Sequence, residues 1–395
     1  LVVDFSNIRI IGIEANFITN NLPIFESFIS CSGSVGEEIE IASDLSEGST
    51  QINTIGYVAS IQPGDYVQIL TNENYFVIPT RDYKKGEIIQ IASVGTNSLT
   101  TVNTGVILPY TQSGNNLRLR KINFIENIHI SGIKFVGSGT NRRQVCMDFF
   151  AVKNGSVQRC EMSDAEVGFN IGLSIFVDVS DNYIHNNNRE GTGYGVQIDK
   201  SSQFINVHHN RFYNNRHSFT TGGYEGVCMH LDINHNQVLM DINAGLNTHG
   251  NARFVSFSNN KIARCLHGIS TYSPHTIIEN NDIIQCDMTG IWALECGFVN
   301  LIVRNNNIER LLGLTSHGTG IEVKNSEVTT HEPNDYIIIE GNTINNSRDS
   351  AGILVATETS AIVVSVRDND MNNIGYGGIE VLEGEKIIIT GNNLH

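Results

Sequence analysis

Tryptophan occurs once and proline six times in 395 residues, and no apolar run reaches the roughly 20 residues that cross a bilayer. A membrane span is therefore not expected. Positive charge is also short: 25 Lys and Arg against 41 Asp and Glu leave a net charge of -16. That balance argues against a nucleic-acid partner, which needs a basic stripe. It also means that an anionic ligand must find a local cluster of Arg, Lys or His. The seven cysteines include no CxxC pair and no zinc spacing, so they read as small buried hydrophobes. Length alone suggests two or three domains, but a repeat changes that count.

The repeat is short: an apolar residue, two polar ones, asparagine, any residue, an apolar one. It runs through "VSDNYI" at Asn182, "VHHNRF" at Asn210, "INHNQV" at Asn236, "FSNNKI" at Asn260 and "IENNDI" at Asn281. It goes on through Asn306, Asn342, Asn369 and Asn392, with Cys160 standing in the asparagine place of "VQRCEM". Spacings of 21 to 36 residues without helical periodicity indicate one coil of a β-solenoid per repeat. The asparagine is expected at a bend, where it tolerates the left-handed region and its amide bonds along the stack.

A second strand follows each anchor: "GYGVQI", "HSFTTG", "AGLNTH", "HGISTY", "TGIWAL", "TGIEVK", "AGILVA" and "GGIEVL". Alignment on the small residue turns Val196, Phe219, Leu246, Ile269, Ile291, Ile321, Ile353 and Ile379 inward. Period two then turns Gln197, Thr220, Asn247, Ser270, Trp292, Glu322, Leu354 and Glu380 outward. Asp199, His249, Tyr272 and Lys324 share that outer face, as do Tyr194, His217 and His267 just before the small position. The expected fold is all-β, a single-stranded right-handed parallel β-helix, its hand following the rule for parallel crossovers. Residues 1–24 read as a first β-helix segment, 25–118 as a non-repeating β-rich insertion or cap, and 119–395 as the helix carrying the face. The chain stops in mid-coil, so a further C-terminal part is expected.

Two kinds of chemistry fit this face. His217, His249, Arg216, Tyr272 and Tyr194 gather on neighbouring coils, as proton abstraction beside a carboxylate requires. A base removes a weakly acidic C5 proton while a cation neutralises the uronate, a part for Arg216 with Asn247. His249 or Tyr272 is the expected base, and His217 or Tyr194 the expected acid. Hydrolysis would instead need two carboxylates roughly 5–9.5 Å apart. Asp199 and Glu322 lie five coils apart, about 24 Å. Glu295 with Glu322 is the better pair, with Trp292 as a sugar platform. Lys324 and His267 complete the expected binding residues. No metal site is read from the sequence, and no cofactor is called for, calcium being left open.

The coils across about 120–395 resemble the right-handed parallel β-helices of polysaccharide lyases and bacteriophage tailspikes. The "SGSVGEEIEI…PGDYV" segment, then "GYGV", "RH" and "THG" strands, is similar to phage-type capsule depolymerases. Arg216-His217 and Asn247-Thr248-His249 also resemble the catalytic strands of mannuronan C5-epimerases, although here the Arg-His coil comes first and Asn247 stands where those have aspartate. Ala244 likewise stands where they have tyrosine, with Tyr194 or Tyr272 as substitutes. The resemblance implies an extracellular or virion-borne depolymerase of bacterial surface or extracellular polysaccharide, assembled as a homotrimer. A lyase acting by β-elimination is favoured. A glycoside hydrolase and a non-catalytic glycan-binding adhesin are the alternatives.

Overall fold

The computed structural model describes residues 1–18, 27–78, 81–102, 105–139, 144–294, 300–309, 318–325, 335–347, 351–357, 362–375 and 377–395, without the side chains of 13–18, 77–78 and 325. Among the described residues there is no helix. The chain winds as a right-handed parallel β-helix. One wall is a twelve-stranded sheet that includes Tyr194–Asp199, His217–Thr221, Ala244–Asn247, His267–Thr271 and Thr289–Leu294. The other is a twenty-two-stranded sheet to which each full coil adds a longer strand and a three-residue one.

The inward column is in register from coil to coil. Phe169 pairs with Val196, then Phe219, Leu246, Ile269, Ile291, Ile321, Ile353 and Ile379. All but Ile379 are fully buried. Each such side chain stabilises the stack by about 1.5–3 kcal/mol relative to exposure. The six cysteines of the described residues are free and buried in the same core.

The asparagines form a ladder within the bend. Asn210 Nδ2 donates to Asn236 Oδ1 at 3.1 Å, and the Asn210 backbone N–H donates to the same oxygen at 3.0 Å. The pattern repeats from Asn182 to Asn392. One expectation needs correction. The left-handed residue is the one before the asparagine: Asp181, His209, His235, Asn259, Asn280, Asn305 and Asp368 have φ between 53° and 57°. The asparagine keeps ordinary φ because its side chain must point inward along the stack.

The insertion builds a six-stranded antiparallel sheet and a separate hairpin, Asn74–Ile78 with Arg81–Lys84. Ser27–Ser32, within the segment read as insertion, is instead a strand of the solenoid, paired in parallel with Val145–Phe150. Its buried Ile29 and Cys31 continue the inward column, which explains the placement. The insertion's own core, around Ile41, Ile52, Ile69, Ile91 and Leu119, also takes in Val227 and Met229 of the solenoid. The two parts share a core at that seam.

Candidate functional site

Outward residues of the twelve-stranded sheet stack in the register read from period two. Asn247 pairs with Ser270, Ser270 with Trp292, Trp292 with Glu322 and Glu322 with Leu354. Yet Thr220, Asn247 and Ser270 are buried although they face away from the core. The insertion hairpin lies over these coils. A Cβ on Gly250 would come within 2.0 Å of the Phe76 ring, so only glycine lets the hairpin seat there. A Cβ on Gly86 would meet Gly226 Cα at 3.1 Å, marking a second close approach.

Between hairpin and sheet is a cavity of about 300 Å³, lined by Arg81 and Tyr83 from the hairpin and Arg216, His217, Asn243, Asn247, His249, Gly250, Ser270, Tyr272 and Trp292 from four coils. The Tyr83 ring tilts over His249, centroids 6.4 Å apart, and Arg81 Nη1 donates to the Tyr83 hydroxyl at 3.4 Å. Arg216 extends over the Tyr194 ring, 5.8 Å from its centroid. Two guanidiniums thus serve one cavity whose described lining contains no carboxylate.

Electrostatics keep the histidines neutral. Burial first, then Arg81 and Arg216, push His249 down to about 3. Burial and Arg216 likewise hold His217 well below its ordinary 6.5, against a smaller opposing effect of the Ala244 carbonyl. His217 Nδ1 lies 2.9 Å from that carbonyl oxygen. A carbonyl only accepts, so Nδ1 carries the proton and Nε2 the lone pair. The neutral ring in this tautomer offers Nε2 as a proton acceptor and has no proton there to donate. His217 is also 4% exposed, so its replacement disturbs packing as well as chemistry.

The other expected residues are placed less centrally. Tyr194 is buried outside the cavity lining, its hydroxyl donating to the Gly191 carbonyl at 3.1 Å, and its ring stacks on His217. His267 stacks on Trp292 at 4.3 Å and is buried, so it covers one face of the proposed sugar platform. Asp199 is buried on an earlier coil, outside the lining, and desolvation raises it to about 7. Glu322 is ion-paired with Lys324, and neither lines the cavity. Glu295 lies outside the described residues. Arg81 and Tyr83 were not visible as site residues, because nothing in "YFVIPTRDYKKG" tells which coil the hairpin covers. The signal available was Gly250, a bare position beside the histidine strand.

Residues 242–395 match the family model of the right-handed beta helix region. No curated protein matches the chain by sequence. Among solved structures, the chain is similar to the tailspike of Pseudomonas phage phi297, with TM-score 0.69 and 14% identity over 100% of this chain and 63% of that one. The tailspike of Acinetobacter baumannii bacteriophage AP22, solved with a capsular saccharide, matches with TM-score 0.60 and 16% identity, over 100% and 62%. The A-module of an Azotobacter vinelandii mannuronan C-5 epimerase matches with TM-score 0.57 and 17% identity, over 69% and 76%. The chain spans less than two thirds of the phi297 and AP22 tailspike chains. At these identities the likeness establishes the fold.

Proposed function

We propose that the protein cleaves a uronate-containing polysaccharide by β-elimination at the roofed cavity. The observation that carries this reading is the lining itself: Arg81 and Arg216, two neutral histidines and two tyrosines, without a carboxylate among the described residues. The guanidiniums receive the uronate carboxylate, with Asn247 beside them, and so stabilise the charge that develops when C5 loses its proton. His217 Nε2 takes that proton. The C5–H electron pair becomes the C4=C5 double bond as the C4–O bond breaks, and the departing oxygen takes a proton from a phenol. Tyr272 on the sheet and Tyr83 on the hairpin are the donors. Burial raises the Tyr83 hydroxyl against the lowering effect of Arg81, which keeps it protonated as a donor must be. The reading needs no cofactor, since the positive charge comes from the chain.

Hydrolysis finds less support, because Glu322 is neutralised by Lys324 and does not reach the cavity. The likeness to tailspikes supports a location on a phage tail or outside the cell, and a trimeric assembly, which a monomer mass in light scattering would refute. The test is a screen of acidic capsular polysaccharides, polymannuronate and polygalacturonate. Products should carry the ultraviolet absorbance of a 4,5-unsaturated uronate, and Glu322→Gln should cleave like the wild type. Saturated products with a dead Glu322→Gln would establish hydrolysis instead. Binding without any shortening would make the protein an adhesin.

A further inference from the structure

The cavity accounts for one sugar, but an aromatic side chain just outside it has no role in the chemistry. Tyr224 is 58% exposed, and its ring stacks on Tyr83 at 6.2 Å with an interplanar angle of 22°. Tyr83 in turn covers His249, so the rings run His249, Tyr83, Tyr224 from the cavity outward. The loop that carries Tyr224 is tied to the hairpin at both ends: the Lys84 N–H donates to the Tyr224 carbonyl at 2.8 Å, and the Val227 N–H donates to the Gly86 carbonyl at 2.8 Å. Gly223 and Gly226 flank it with φ of 79° and 80°, a turn that L side chains rarely adopt. An exposed phenol would ordinarily sample several rotamers. Here its backbone is pinned and one ring face is packed, which leaves the other face as a preformed apolar surface.

We infer that Tyr224 is a sugar platform for the polymer outside the cavity, so that the site grips an interior stretch of chain rather than an isolated end unit. The carbon face of a pyranose packs on an aromatic ring, while the phenol edge stays in water. This rests on the proposed uronate reading and extends it to a neighbouring sugar.

The experiment compares binding of acidic capsular polysaccharides, polymannuronate and polygalacturonate in affinity electrophoresis, in a His217→Ala background that stops turnover. Tyr224→Ala should weaken binding of the retained polymer by roughly five- to tenfold, the scale of one aromatic packing contact. Tyr224→Phe should keep the affinity, since the face and not the hydroxyl is used. The loss should be larger for polymer than for a trisaccharide cut from it. If a polymer is retained and Tyr224→Ala binds it as tightly as its parent, the platform is wrong and the cavity reading stands. If Tyr224→Phe loses as much as Tyr224→Ala, stacking is also wrong. Retention of none of the probes overturns the uronate reading and the platform with it.

Discussion

Two stretches of the twelve-stranded sheet, a roofed half and an open half of its site-bearing coils, share one backbone and meet different fates. From Tyr194 to Trp292 its outer face is roofed by the insertion hairpin, and Thr220, Asn247 and Ser270 are buried there. From Glu322 to Glu380 the same register positions lie outside the cavity, and Glu380 is exposed. Charges follow the roof. Under it, two arginines face neutral histidines. Beyond it, Glu322 is buried in an ion pair with the half-exposed Lys324, and neither reaches the cavity. A solenoid offers every coil the same outward places, so a site needs something that is not periodic to exclude water and fix its groups. The insertion supplies that here.

The largest effect should come from the base. His217→Ala should lower turnover by roughly 10²–10⁴, the usual worth of a general base, while Glu322→Gln on the open half changes little. Because His217 is buried, His217→Gln and a thermal melt separate lost chemistry from lost packing. Turnover of folded His217→Ala within threefold of the wild type would remove the base from this half of the sheet.

A somewhat smaller loss should follow from lifting the roof. Gly250→Leu places a side chain where the Phe76 ring sits, and the hairpin must move away. Activity should fall by about tenfold or more as Arg81 and Tyr83 leave the cavity, in line with the cost of misplaced groups. The open half should be indifferent, and Leu354→Ala there is the matching control. Full activity in Gly250→Leu would show that the roof is ornamental.

The pH profile sharpens the contrast further. Folded-state pKa values of His217 and His249 are depressed below 6.5, so both rings stay neutral as pH falls through that value. Accordingly kcat/KM should stay level across pH 6.5 and decline only well into acid. The stability linked to these two rings has the same direction: the unfolded chain takes up protons below 6.5 that the native rings refuse, so their contribution drops as pH falls from there. A half-loss of kcat/KM centred on 6.5 would mean that an unperturbed histidine does the work.

These halves were unequally legible. Inward residues, outward residues and the asparagine ladder follow from period two and from one bend per coil, and neighbouring coils repeat the evidence. That is why Phe219, Leu246 and Ile269 could be placed by alignment alone. His217, His249 and Arg216 stood out as departures from the repeat. The tautomer of His217 depended on a carbonyl one coil away, and Arg81 and Tyr83 depended on how a non-repeating segment docks. Asp199 misled because period two gives the direction of a side chain and not what covers it. Local pattern carries register; roofing is a long-range contact with no period to read.

The smallest effect concerns the corner beneath the roofed half. Asn187 and Asn215 start a second ladder, and Asp241 takes its next place. Asp241 accepts from the Asn215 N–H at 3.0 Å and from Ser218 Oγ at 2.6 Å, gripping the chain on both sides of Arg216 and His217. Burial raises its carboxyl from 3.8 to about 8, against the lowering effect of those hydrogen bonds. The native state therefore holds a proton that the unfolded chain has lost, and the stability that Asp241 itself contributes declines as pH rises from about 4 to about 8. An asparagine in this place would offer the same acceptor oxygen without that dependence, as Asn215 does one coil earlier. Asp241→Asn should thus melt within about a degree of the wild type at pH 4 and a few °C above it at pH 8, a modest gain expected for a chain of this size. Melting curves of the pair at both pH values measure the difference. A gap that fails to widen with pH would mean that Asp241 is ionised in the native corner, its charge met by the hydrogen bonds that hold Arg216 and His217 in place.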